Sequence, residues 1–397
     1  MPYAVKKPQI FLLWSFLRIY TLLMAAWFSL IFPITEIEKR IQFSLPIIFN
    51  KEGFFRLFLS PWIRWDTVMY IRLAAGSYAA NDGSTSFHPL FPLLSKLPYY
   101  LGIDPVLSLL IISSLAAFGA FIYFYKLALL DLNPEDSWLA LLLFASFPIT
   151  VILFFPYTES LFIFLSLVVL YELRRKNWLM AAIFTFLASL TRQQGIFLFF
   201  PILWSAWDES KHSLGGLKSA WKPWPVLITT PVGLFSWSAY RIFILKEGFS
   251  NIHNIQDIIY NLLISPSAKI IIPDQAILPP WEVLIQALPK LKSPEIGDLV
   301  SVLLGAGFIV LLIMSWKKLH PMYRIYCLVL FSVSFSMSTG PFRIYLSLPR
   351  HLVLAAPIFI GIAPIIKNKW QQLFIIGFHF SLQLFLVLIF VAKTWIP

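Results

Sequence analysis

Charge is scarce in this sequence, so each ionisable side chain inside an apolar stretch is a candidate for chemistry. Asp66 lies in PWIRWDTVMYIRLAAGSY, Pro61 to Tyr78, among tryptophans and aliphatics. A carboxylate held there can take a proton from a hydroxyl. It can equally cap helix dipoles or pair with Arg64 or Arg72. Glu159 follows Tyr157 and Thr158 in FFPYTES, where it can orient a ligand hydroxyl, hold an arginine, or open a helix. Arg192, Gln193 and Gln194 interrupt an apolar run as SLTRQQG, and His88 stands in SFHPLFPLL. His88 can meet an anion or serve structure. None of the histidines at 88, 212, 253, 320, 351 and 379 has metal-ligand spacing. No cofactor is expected, and a divalent metal ion is left open.

The elements that position these residues follow from composition. Of 397 residues, 59% are hydrophobic and 13% charged, with 38 Phe and 15 Trp. That much apolar surface exceeds what a soluble exterior can hide. The expected class is an all-α polytopic membrane protein, residues 1–397 forming one integral membrane domain. The net charge of +12 is dispersed between apolar segments, which argues against nucleic acid as a partner. Cys327 is the single cysteine and admits no intramolecular disulfide. The first apolar run, 10–32, is too long for a cleavable signal and lacks a small-residue cleavage site.

Apolar runs near the ~20 residues of a spanning helix fall at about 10–33, 106–130, 225–246, 298–316, 323–339, 350–366 and 370–392. FFPYTES divides 138–173 into two spans. TRQQG divides 178–207 into two short segments, which spares Arg192 a place in hydrocarbon. With the amino terminus inside, the clusters Arg174–Lys176, Lys211–Lys222, Lys317–Arg324 and Lys367–Lys369 all fall inside. About eleven membrane segments result, with the carboxyl terminus outside.

That topology puts the first loop 34–104, FPYTES, TRQQG, the second long loop 247–297 and GPFRIYLSLPRH on one non-cytoplasmic side. A shared cavity there is the default site. Within the first loop, Ser60 and Pro61 predict a helix start and Gly76 its end. Trp62, Trp65, Met69 and Leu73 form an apolar stripe, with Asp66 and Tyr70 on the neighbouring face, as in a helix lying in the headgroup layer. SFHPLFPLL predicts a rigid, non-helical re-entry. WEVLIQALPKL, in the second long loop, can also lie on the membrane.

RWDTVMYIRLAAGSY followed by SFHPLFPLL resembles the tryptophan–aspartate motif and the following Phe-Pro-Leu-Phe-Pro stretch of the PIG-V-like mannosyltransferases, the GPI mannosyltransferase 2 group. FPYTESLFIFLSL, RRKNWLMAAIFTFLASLTRQQG and SLPRHLVLAAPIF are similar to further blocks of that family, in the same order. His88 stands where a second Phe is expected, and Arg350–His351 where Arg–Tyr is expected. The resemblance implies the GT-C glycosyltransferase fold, a helical bundle whose large first extracytoplasmic loop bears the catalytic acid. It implies a sugar, mannose above all, carried on a polyprenyl phosphate such as dolichyl phosphate mannose, and inversion at the anomeric carbon.

On that implication Asp66 is the general base, and the departing phosphate calls for guanidinium groups. Arg350, Arg192 and Arg343 are the candidates, with His351 beside the first. Trp65, Tyr70, His88, Glu159, Gln193 and Gln194 are the candidate substrate contacts. The expected partners are the polyprenyl-phosphate sugar, a lipid or glycan acceptor and membrane lipid, with an accessory membrane subunit left open. The membrane is the plasma membrane in a prokaryote and the endoplasmic reticulum in a eukaryote, with the site on the non-cytoplasmic side. The rival from another class is a transporter or lipid flippase, for which Arg241 and the TRQQG break give support.

Overall fold

The computed structural model describes residues 7–48, 53–213, 215–216, 222–247, 261, 275–339, 345 and 347–392. The described residues are helical almost throughout. The β structure among them is one antiparallel bridge, Ala276–Ile277 with Met337–Ser338, in the register Ala276 to Ser338 and Ile277 to Met337. Four helices are long and apolar enough to cross a bilayer: Lys7–Ile31, Pro105–Ala128, Ile296–Ser315 and Lys369–Val391. Two bent pairs raise the number to six, Pro134–Ser146 with Pro148–Phe154 (80°) and Leu348–Ala355 with Ile358–Ile365 (66°). The protein is a multi-pass integral membrane protein. Some apolar runs expected as plain spans are instead short or broken: 323–339 is the short helix Pro321–Phe335, and 350–366 falls in the bent pair Leu348–Ala355 with Ile358–Ile365.

The chain divides into two compact units. The first comprises Met1–Ser77, Leu90–Leu161 and Ile362–Ile396. Its helix starts are written in side chains. Thr35 and Glu38 form a reciprocal capping box ahead of Glu36–Ser44. Asp104 caps Pro105–Ala128 through the Val106 N–H (2.8 Å) and also accepts the Ile48 N–H (2.7 Å). Asn133 accepts from Glu135 and Asp136 N–H, which makes the acidic DLNPED segment an ordinary helix N-terminus with Pro134 in its first turn.

At the 80° bend the helix Pro134–Ser146 gives way to a 3₁₀ turn, Pro148–Phe154, which frees carbonyls in an apolar interior. Gln383, on the helix Lys369–Val391, donates its amide N–H to Ala145 O (2.9 Å) and Phe147 O (3.0 Å). Arg18 donates to Phe154 O (2.5 Å). These donors satisfy three of the carbonyls at the bend.

The second unit comprises Tyr78–Pro89, Phe162–Gly361 and Pro397. Trp178–Thr191 packs on Pro223–Ala239 at Gly233, where a Cβ would stand 2.6 Å from Ser189 Cβ and 3.0 Å from Phe186 O. The 66° bend at Ala356–Pro357 has its own donors on Pro321–Phe335. Tyr326 Oη donates to Leu354 O (3.2 Å), and the buried Cys327 thiol to Ala355 O (3.7 Å). The run 225–246 leaves the α-helix at Ala239 and ends in a π-helical turn, Tyr240–Ile244. Most of the second long loop, 248–260 and 262–274, lies outside the described residues.

Candidate functional site

Asp66 is the first residue of a helix, Asp66–Ala75, and not an interior one. The helix expected from Ser60 to Gly76 is broken. Ser60–Trp62 makes one 3₁₀ turn, Ile63 and Arg64 leave helical geometry, and Trp65 takes a left-handed backbone (φ 50°). Such a φ is unfavourable for a residue with a large side chain, so surrounding contacts must impose it.

Those contacts lie within the first unit. Trp62 is fully buried against Phe155 (5.2 Å between ring centroids) and Phe390 (6.1 Å). Arg64 is buried too, its guanidinium donating to the Phe390 and Val391 carbonyls and lying 3.4 Å from Glu38. Burial works against the Arg64 charge while Glu38 supports it. With both flanks pinned, the chain turns at Trp65, which is left 39% exposed, and Asp66 is half-buried beside it. A carboxylate in the first turn of a helix sits favourably at the positive end of its dipole.

Tyr70, one turn further on, is buried with its ring edge-on to Phe91 at 5.1 Å. The ring packs there against the aromatic core. Glu159 is fully buried in the first turn of Glu159–Arg174.

In the second unit TRQQG ends one helix and starts another, as its position in the sequence suggests. Trp178–Thr191 stops at Arg192, whose backbone is extended, and Gln193–Leu198 forms a 3₁₀ turn leading into Phe199–Glu209. Gly195 lets that turn fold against the end of the first helix. A Cβ there would lie 2.5 Å from Ser189 Cα and 2.6 Å from its nitrogen. Arg192 Nε donates to Gln194 Oε1 (3.3 Å).

Gln193 and Gln194 then line an open pocket with His351, Ser334, Ile277 and Met337. His351 comes from Leu348–Leu352, which follows a left-handed Ser347 (φ 58°) and holds Arg350 buried. Two segments some 150 residues apart in the sequence, TRQQG and SLPRH, thus deliver two amides and an imidazole to one cavity, with Arg192 and Arg350 next to them in the chain. The amides and the imidazole can hydrogen-bond a hydroxyl-rich ligand, and Ile277 and Met337 add apolar wall. Arg343 lies outside the described residues.

His88 is bonded to the protein's own backbone. It is buried with Nδ1–H donating to Ser189 O (3.1 Å), beside Trp237 (6.4 Å). Burial, with Arg241 and Arg192 adding positive charge, pushes its pKa down to about 3, so the ring is neutral near neutral pH. Among the described residues no group of three or more His, Cys, Asp or Glu could hold a metal ion.

A buried ion pair escaped sequence reasoning. Arg241 and Glu247 are 3.4 Å apart with side chains only 3% and 2% exposed. Glu247 accepts from Thr85 Oγ1 (2.6 Å), and Arg241 donates to Asn261 O (2.9 Å) and Ser238 Oγ (3.2 Å). The pair fastens the segment 84–86 to the end of Pro223–Ala239. An arginine at the end of an apolar run, six residues before a glutamate, was the available signal.

No family model matches the chain, and no curated protein does. Among solved structures it is similar to ArnT from Cupriavidus metallidurans bound to undecaprenyl phosphate, at 14% identity and a TM-score of 0.44. The match covers 85% of this chain and 61% of that one, so the chain spans about three fifths of the length of that structure. No residue role follows from a likeness of that degree.

Proposed function

We propose that the protein is an inverting GT-C glycosyltransferase that moves a sugar, mannose first among candidates, from a polyprenyl phosphate to a lipid or glycan acceptor on the non-cytoplasmic side. The observation that carries the reading is the pocket of Gln193, Gln194 and His351. It draws on two of the ordered sequence blocks that resemble PIG-V-like mannosyltransferases.

In this mechanism the acceptor oxygen attacks the anomeric carbon from the face opposite the phosphate. Its O–H proton passes to the Asp66 carboxylate as the new C–O bond forms and the bond to the phosphate oxygen breaks. The polyprenyl phosphate leaves as an anion and needs charge stabilisation, not a proton. Arg350 and Arg192 supply it, and Gln193 and Gln194 hold sugar hydroxyls.

The test is transfer from a radiolabelled polyprenyl-phosphate sugar in membranes carrying Asp66→Asn. The reading expects transfer to fall by ~100-fold or more with normal insertion, as for loss of a general base. Undiminished transfer sinks it. A second reading, a lipid flippase, is favoured by the buried Arg241–Glu247 pair. It expects lipid counterflow in proteoliposomes that Asp66→Asn leaves intact.

A further inference from the structure

The helix Pro280–Ala287 has eight residues, far below the ~20 that cross a bilayer. Its surface divides into three sectors. Val283 and Ala287, four apart, are 2% and 3% exposed and face the rest of the second unit. Glu282 and Gln286, also four apart, make a polar edge. Trp281, Leu284, Ile285 and Leu288, spaced i, i+3, i+4 and i+7, form a bare apolar stripe, each more than half exposed (65%, 51%, 62% and 51%). Immediately after the stripe the chain turns through Leu288–Lys292, carrying Lys290, 3.9 Å from Glu295, and the exposed Lys292.

A short helix with one face docked, one polar and one bare, in a protein whose long helices are already in lipid, fits the boundary between headgroups and acyl chains. The two lysines suit an anionic leaflet.

The helix is also wired to the pocket. Gln286 Oε1 accepts from Ser338 Oγ (2.7 Å). Ser338 belongs to the strand Met337–Ser338, and Met337 with its bridge partner Ile277 walls the pocket. We propose that Pro280–Leu288 docks its bare stripe into an anionic membrane leaflet, and that this docking holds the Ile277–Met337 wall of the pocket in place. The proposal is independent of the transferase reading, because it concerns what fixes the wall and not what the pocket takes.

The single native cysteine, Cys327, is buried, so an introduced thiol can be labelled selectively. Leu284→Cys, Ile285→Cys and Glu282→Cys are each labelled with an environment-sensitive fluorophore. The full chain is then reconstituted in phosphatidylcholine vesicles with or without phosphatidylglycerol. The expected result is quenching at 284 and 285 by lipids spin-labelled near the headgroup, with protection from aqueous iodide, and the reverse at 282. Omitting phosphatidylglycerol should weaken the lipid quenching. Iodide quenching at 284 and 285, protection there from both quenchers as under a partner subunit or a second copy, or indifference to phosphatidylglycerol would each overturn the docking.

For the wall, alkylation of Met337→Cys in the anionic vesicles is compared with and without Leu284→Asn and Ile285→Asn. A severalfold change in rate is expected, and equal rates would overturn the coupling.

Discussion

Arg64 donates from Nη1 to the carbonyl of Phe390 at 3.1 Å, joining the residue two places before Asp66 to the last turn of the helix Lys369–Val391. The same guanidinium reaches Val391 O and stands 3.4 Å from Glu38. A cation at a helix C-terminus meets carbonyls that have no partner within the helix, and here it also fixes the turn from which Asp66 projects.

Arg64→Met leaves Glu38 and two carbonyls without that donor in a buried setting. Stability should fall by ~3 kcal/mol, the usual cost of breaking a buried pair from one side. Thermal unfolding in bilayers measures it. Arg64→Lys should recover only part of the loss, because one ammonium cannot span two carbonyls and a carboxylate.

Gly195→Ala puts a methyl group where Ser189 Cα stands 2.5 Å away. The turn that presents Gln193 and Gln194 must shift, at a cost of ~1–3 kcal/mol. Under the proposed function, KM for the donor should rise with it, which donor titration reads directly.

His88 gives a pH signature. Its folded pKa of about 3 lies below the ordinary 6.5, so between those values the unfolded chain binds a proton that the folded chain does not. Its contribution is complete above pH 6.5 and declines as pH falls toward 3, by up to ~1.4 kcal/mol per unit. Wild type and His88→Gln, compared by unfolding from pH 7 to pH 4, should converge as pH falls. Parallel curves would show that the ring is not held neutral.

Arg241→Gln strands a buried carboxylate at Glu247, and a loss of ~3–5 kcal/mol is expected. Glu247→Gln added to Arg241→Gln should restore part of it, since two neutral amides can still bond. A double-mutant cycle on unfolding midpoints gives the coupling.

Composition made the helical membrane architecture legible, and particular residues made some of its joints legible. TRQQG marked a break because an arginine and two amides do not sit in mid-hydrocarbon. The turn at Asp66 was not legible. Ser60–Pro61 carries the local signal of a helix start, and that signal is spent on one 3₁₀ turn because Arg64 is drawn to carbonyls more than 300 residues away in the chain. Nothing next to Trp65 encodes a positive φ. Likewise Pro148 and Pro357 could announce bends but not their angles, which depend on donors from Gln383, Tyr326 and Cys327 elsewhere in the chain. The partners of Tyr70 and His88, Phe91 and Ser189, are likewise set by tertiary contact and were not legible.

The hydrogen bonds from Gln383 to Ala145 and Phe147 span 238 and 236 positions of sequence. During synthesis the kinked segment leaves the ribosome long before its amide donor exists. Until then those carbonyls must borrow water or translocon groups, and the loop before Asp66 waits longer still for Phe390, 326 positions on. Maturation of this amino-terminal part is thereby late, timed by arrival of the helix Lys369–Val391. Removing that helix should expose this part to membrane quality control while leaving its insertion untouched.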